Sequence, residues 1–192
     1  MLNRYELQAN EIIYINPERR GAVADFSDSM RTLLNPLMSN ERELVLLCIG
    51  TDRITGDSLG PIIGHNLTKH RTFGRHAYIR PAIYGTLESP VHAKNLSITL
   101  DIIHSRHRRP LIVAVDASLG RPQSVGFVTI GVGTLSPGAG LKTVLPDVGD
   151  IYVTGIVNRS GEANLSALQN TRLALVIKLA DIITKGFVRA LR

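Results

Sequence analysis

The stretch LVLLCIGTDRITGDSLGPIIG, residues 44–64, decides the fold. It opens on an unbroken apolar run, residues 44–49, of the kind a parallel strand covered on both faces requires. A polar loop follows, with Gly50, Thr51, Asp52, Arg53, Thr55, Gly56 and Asp57. Leu59, Gly60, Pro61, Ile62 and Ile63 then open a helix, with Pro61 in the first turn, where a missing N–H costs nothing. Strand, glycine loop and helix in this order put function at the carboxyl end of a parallel strand. The carboxylate at that junction is Asp57.

Working outward, the second continuous apolar run is residues 111–115, with Asp116 at its carboxyl end. Both runs are expected to be central and parallel, so Asp57 and Asp116 are expected to face one crevice at the same sheet edge. Val23, Phe26, Met30, Leu33, Leu34 and Leu37 recur at helical spacing over residues 22–38, a helix interrupted near Pro36. Residues 77–83 read as a strand weakened by Pro81. Ser89 and Pro90 read as the cap and first turn of a helix that carries Ala93, Leu96, Leu100 and Ile103 on one face. Residues 125–132 form a strand leaving a short turn, hence an antiparallel neighbour, and residues 151–157 form the last strand. One long helix carrying Leu165, Leu168, Leu175, Leu179 and Ile182 closes the chain. Residues 1–20 are polar with a short apolar patch at residues 12–15 and read as an arm or an extra edge strand. The order describes a single α/β domain over residues 1–192, with residues 1–40 as an arm and helix packed on a core of residues 41–192.

Composition narrows the function classes. Of 192 residues 44% are apolar, and the net charge of +6 is scattered rather than gathered into a patch. The densest group, His104, Arg106, His107, Arg108 and Arg109, reads as a solvated helix end; without interleaved aromatics it gives no nucleic-acid surface. The single cysteine, Cys48, cannot form an internal disulfide, which favours the cytosol. Within an apolar strand it reads as a small buried hydrophobe rather than a nucleophile. No run approaches the ~18 apolar residues of a membrane span, and the first 20 residues lack an apolar signal core, so a cytoplasmic location is expected.

Two carboxylates in one crevice divide acid–base work: one stays ionised and activates water, the other holds a proton to donate. Asp57, near a helix amino end, is the better anion; Asp116, behind an apolar strand, is the better candidate for a raised pKa. The alternative uses are structural, with Asp57 as a helix N-cap and Asp116 and Ser118 capping a turn. Glu88 and His92 flank one helix start. Asp57, Asp116 and a histidine would supply three metal ligands, but no HxxxH or ExxH spacing accompanies them. Gly50, Gly56 and Gly60 fit neither the dinucleotide fingerprint nor the P-loop. A looser anion nest at the helix start would take Arg53 or Lys142 as its counter-charge.

Three motifs, in order, carry a resemblance. GTDRITGDSLGP (50–61) resembles the first glycine loop of the bacterial germination protease, VAVDAS (113–118) its second strand ending in Asp, and SPGAGLKTVLPDVGDIYVTGIVN (136–158) its later Pro/Gly loop and strand. Over residues 44–191 the chain is identified as a member of the shorter YyaC sporulation protein family (DUF1256-type). The resemblance implies a three-layer α/β/α sandwich of the phosphorylase/hydrolase-like kind, shared with hydrogenase maturation endopeptidases, with a mostly parallel mixed sheet of about five strands. It implies a sporulation-associated peptidase acting in the cytoplasm of the forespore or mother cell, with Asp57 and Asp116 catalytic. Arg53, Ser58, Glu88, His92 and Lys142 are the candidate substrate-binding residues. Loop N–H groups within residues 51–58 are candidates to hold the oxyanion.

The implied partner is a protein or peptide substrate, small acid-soluble spore proteins being the class suggested. No cofactor is expected. In the hydrogenase-maturation relatives a later histidine joins the carboxylates to bind nickel, and residues 136–150 contain no histidine. Two alternatives stand beside the endopeptidase: a non-catalytic peptide- or anion-binding protein of the same fold, and a metal-dependent maturation peptidase. The apolar faces of residues 22–38 and of the last helix make a homodimer a further expectation, unless both are spent inside one chain.

Overall fold

In a computed structural model of the protein, residues 12–38, 41–70, 80–138 and 145–192 are described. Among the described residues six strands form one sheet in the order β1-β5-β6-β4-β2-β3. They are β1 (Ile13–Ile15), β2 (Glu43–Cys48), β3 (Ala82–Tyr84), β4 (Pro110–Gly120), β5 (Val128–Val132) and β6 (Ile151–Arg159). β3, β2, β4 and β6 run parallel. β5 is antiparallel to β6, and β1 is antiparallel to β5. The sheet is therefore mixed and mostly parallel, with residues 13–15 as the extra edge strand. The antiparallel strand β5 lies beside β6, not beside the β4 strand it leaves.

Alternation along the strands divides the core between the two faces. Leu44, Leu46 and Cys48 of β2, Leu111, Val113 and Val115 of β4, and Ile151, Val153 and Val157 of β6 pack on one side. There they meet α1 (Ala22–Leu37), α2 (Leu59–Lys69) and the last helix. Val45, Leu47, Ile112 and Ala114 point to the other side and meet Leu96 and Ile103 of α3 (Leu96–Arg106). The architecture is a three-layer α/β/α sandwich. Among the described residues no helix is long and apolar enough to cross a membrane.

The strand expected over residues 77–83 is Ala82–Tyr84, residues 77–79 lying outside the described residues, and β5 begins at Val128 rather than at residue 125. Three further boundaries differ from expectation, each for a physical reason. Pro36 does not interrupt α1: the helix runs through it and ends at Leu37, where the Met38 N–H closes on the Leu34 carbonyl, so the proline falls in the final turn. The helix expected from Ser89 and Pro90 starts only at Leu96. The backbone before it belongs to the sheet edge: Val91 bridges Ile49, and the Val91 carbonyl accepts the Gly50 N–H at 2.7 Å. Asn95 then shapes the entry, its Oδ1 accepting the His92 N–H and its Nδ2 donating to the Pro90 carbonyl. The single closing helix is two, α4 (Asn164–Gln169) and α5 (Leu173–Ala190). Asn158 Nδ2 donates to the Ala167 carbonyl and to Thr171 Oγ1, which fixes the break at residues 170–172.

The apolar faces of α1 and α5 are spent on each other. Phe26 and Phe187 are fully buried and meet edge to face with ring centroids 5.1 Å apart, an arrangement worth about 1 kcal/mol beyond the area it buries. Much of both stripes is thus internal, while Leu165, Leu173 and Ile177 stay exposed. Phe187→Ala is expected to lower stability by about 3–5 kcal/mol, read as a lower urea midpoint at unchanged m-value. A loss below about 1 kcal/mol would show that the α1–α5 seam is not part of the core.

Candidate active site

β2 ends at Cys48, opposite Val115 of β4. β4 continues, so Asp116 is its first residue past the end of β2 and borders the loop rather than a strand. That loop turns back sharply. Gly50 has φ of +135°, and a Cβ there would lie 2.0 Å from the Asp57 carbonyl oxygen, so only glycine fits. Thr55–Ser58 forms a single 3₁₀ turn leading into α2. The Thr51 N–H donates both to the Asp57 carbonyl, at 3.0 Å, and to Asp57 Oδ2, at 3.1 Å. The Asp57 carboxylate is thereby tied to its own loop, and it does not cap α2: no side-chain hydrogen bond caps that helix.

Asp57 and Asp116 line one cleft of about 350 Å³. Ala117, Ser118, Leu119, Leu135, Ser136, Gly138, Ser160, Asn164 and Leu168 form the rest of its described lining. Asp116 is only 7% exposed. Burial pushes its carboxyl well above the ordinary range, the negative charge of Asp57 pushes it further, and the Ala117 N–H, donating at 2.7 Å to Oδ1, opposes both. Burial also raises Asp57, to about 6, against the opposing Thr51 N–H. Both shifts come first from desolvation of a carboxylate, and Asp116 also faces its neighbour's charge. Asp57 thus ionises above about 6, and its charge favours the protonated form of Asp116.

The other sequence candidates fall elsewhere. Arg53 is exposed on the loop and outside the cleft lining. Ser58 is buried and donates its hydroxyl to the Thr55 carbonyl at 2.7 Å. Glu88 accepts from or pairs with His65 on α2 at 3.0 Å. His92 belongs to the turn before α3, its Nδ1 accepting the Lys94 N–H. Lys142 lies outside the described residues. Of the seven named residues, then, the structure brings together Asp57 and Asp116.

Three loop N–H groups offered for an oxyanion are used internally: Thr51 on Asp57, Arg53 on Thr51 Oγ1, and Asp57 on the Ile54 carbonyl. Cys48 is fully buried, its thiol pushed up to about 12 by burial, which leaves it protonated and inert. Within the basic group at the end of α3, His107 is pinned between Glu43 Oε2 and the Tyr84 hydroxyl, at 2.8 and 3.0 Å.

The residues the sequence reading left out of the site are Ser118, Ser136, Ser160 and Asn164. Ser118 was within reach of it, since two residues after Asp116 on a strand is the same face. Its hydroxyl donates to Thr154 Oγ1 at 3.0 Å. Ser160 and Asn164 carry no local signal: they arrive from the β6–α4 connection. Among the described residues no group of three or more His, Cys, Asp or Glu side chains is placed to hold a metal ion.

A family model described as "Protein of unknown function (DUF1256)" matches residues 15–186. The chain is 48% identical over 145 residues to the "Uncharacterized protein YyaC" of Bacillus subtilis (strain 168), covering 76% of this chain and 68% of that protein.

The raised carboxyl pKa values make a stability prediction. The folded state holds protons that the unfolded chain has released, so the stability they contribute is fully present below about pH 4 and is lost as pH rises, through about 6 for Asp57. For Asp57 the loss is on the order of 2–3 kcal/mol. Asp57→Asn and Asp116→Asn are each expected to raise the Tm at pH 8 and to leave it nearly unchanged at pH 4. Lower melting temperatures at pH 8 for both variants would mean that the carboxylates are stabilising anions.

Proposed function

The chain belongs to the DUF1256 family, and from the coupled carboxylates of its cleft we propose that it is an aspartate-dependent endopeptidase. The observation that carries this reading is the pairing, on one cleft, of a buried carboxyl, Asp116, with a half-buried one, Asp57, whose charge raises its neighbour's affinity for the proton. Such a pair supplies a base and an acid at the same pH. Asp57, ionised, takes a proton from the water that attacks the scissile carbonyl. Asp116, protonated, delivers its proton to the departing amine nitrogen as the C–N bond breaks. Proton return from Asp57 and reprotonation of Asp116 restore the pair. This route uses groups of the chain alone. The motif resemblance to the bacterial germination protease supports small DNA-coating spore proteins as substrates and a role in sporulation.

A second reading, a peptide- or anion-binding cleft without hydrolysis, is favoured by one observation. The Thr51, Arg53 and Asp57 N–H groups are all turned to the loop's own acceptors, which removes three donors from the set available to an oxyanion. The two readings part on turnover. The purified chain is expected to cleave a small acid-soluble spore protein at defined bonds, with products read by mass and with no change on adding a chelator. Asp57→Asn and Asp116→Asn are each expected to cut the rate by roughly 10²–10⁴-fold with folding intact. The parent's kcat/KM is expected to rise as pH passes through about 6, where Asp57 ionises, and to fall again where Asp116 loses its proton. Equal cleavage by parent and variants would contradict the mechanism; no cleavage by the folded parent favours the binding reading.

A further inference from the structure

The face of the sheet that carries Asp116 continues past the cleft. β4 pairs Asp116 with Thr154 of β6, β6 pairs Thr154 with Thr129 of β5, and β5 pairs Thr129 with Tyr14 of β1. These four residues form one straight rung across the strands, all on the face opposite α1, α2 and α5. α3 covers that face over Val45, Leu47, Ile112 and Ala114. Among the described residues no helix covers the β6–β5–β1 half. A groove of about 760 Å³ lies there instead, and it shares Ser118, Leu119 and Ser160 with the carboxylate cleft.

The floor of the groove changes character along its length. Next to Asp116 it is hydroxylic: Ser118 Oγ donates to Thr154 Oγ1, which is 2.7 Å from Thr129 Oγ1. Both threonines are buried and satisfied, so they present methyl and hydroxyl surface without demanding a partner. At the far end it is apolar. Tyr14 and Ile12 are 55% and 45% exposed, and the Tyr152 ring lies over Gly131, where a Cβ would come within 2.3 Å of it. Large apolar side chains left in water beside a polar cleft mark a contact surface rather than a core.

The rung has the dimensions of a short peptide. Three inter-strand steps of ~4.8 Å give about 14 Å, or about four residues of extended chain at ~3.3 Å each. We infer that this face is the substrate groove, holding an extended polypeptide with its scissile bond at Asp57 and Asp116 and an apolar or aromatic side chain, about four residues away, against Tyr14 and Ile12. The inference rests on the peptidase reading of the cleft and names the class of substrate it takes: unfolded segments with one apolar anchor. Tyr14 and Ile12 select; they do not take part in the chemistry.

The test uses the full chain with Asp116→Asn, which blocks turnover, and a positional-scanning library of fluorescent unstructured decapeptides read by anisotropy. Pools with Phe, Tyr or Leu fixed at one position are expected to bind about tenfold tighter than pools with Ser or Asp there. Tyr14→Ser is expected to abolish that preference, and Tyr14→Phe to retain it. Absence of a positional preference overturns the inference, as does a preference that survives Tyr14→Ser combined with Ile12→Ser. A concentration-dependent dimer that Tyr14→Ser dissociates would give this face to a second copy and also overturn it. Hydrolysis of the same pools by the parent separates the two claims. Tyr14-dependent binding without hydrolysis supports the groove and removes the peptidase; hydrolysis indifferent to Tyr14 does the reverse.

Discussion

One backbone N–H, that of Thr51, accounts for much of the site. It is shared between the carbonyl and the carboxylate of Asp57, closing a seven-residue loop at the end of β2. The closure requires Gly50 in a left-handed conformation pressed against the Asp57 carbonyl. It also requires close packing behind it: a Cβ on Gly60 would lie 2.0 Å from the Ile49 carbonyl, and one on Gly56 2.8 Å from the Leu168 carbonyl. The result is a half-buried carboxylate held by main chain. Its charge acts on Asp116 through a partly dry gap, where Coulomb interactions are stronger than in solvent.

Asp116 depends on a different constraint, the difference in strand length between β2 and β4. Because the registered pairing of β2 with β4 ends at Cys48, the next β4 residue faces loop and cleft, with Thr154 of β6 as its paired neighbour in the rung. A register shift between Ser118 and Leu119 follows at once, and bulges of this kind re-aim side chains beside functional sites. The β5–β1 edge extends the same face outward. The parallel half of the sheet thus supplies the carboxyl pair and the antiparallel half supplies the surface beside it.

Much of this was legible in the sequence because hydrophobic periodicity is a strong signal. The apolar runs of β2 and β4 and the shared edge of Asp57 and Asp116 follow from pattern and topology, whereas the apolar patch at residues 12–15 left an arm and an edge strand equally open. The start of α3 was not legible: Ser89 and Pro90 make a good local helix start, and only pairing of Val91 with Ile49, 42 positions upstream, draws that backbone into the sheet. The break between α4 and α5 hangs likewise on a long-range bond from Asn158. Among candidate site residues, Glu88 and His92 were conspicuous as polar side chains beside an expected helix start, and the structure engages Glu88 with His65 and His92 with its own turn. The cleft walls from Ser136, Ser160 and Asn164 come from loop geometry that no periodicity encodes.

The central claim is that Asp57 and Asp116 are electrostatically coupled and titrate apart. The most direct measurement is a carbon-detected NMR titration of the two side-chain carboxyls, in the parent and in Asp57→Asn. The account predicts an Asp57 midpoint of about 6 and an Asp116 midpoint raised well above the ordinary carboxylate range. It also predicts that the Asp116 midpoint falls in Asp57→Asn, because the neighbouring charge is gone while burial remains. Two independent titrations near about pH 4, or an Asp116 midpoint indifferent to Asp57→Asn, would contradict it.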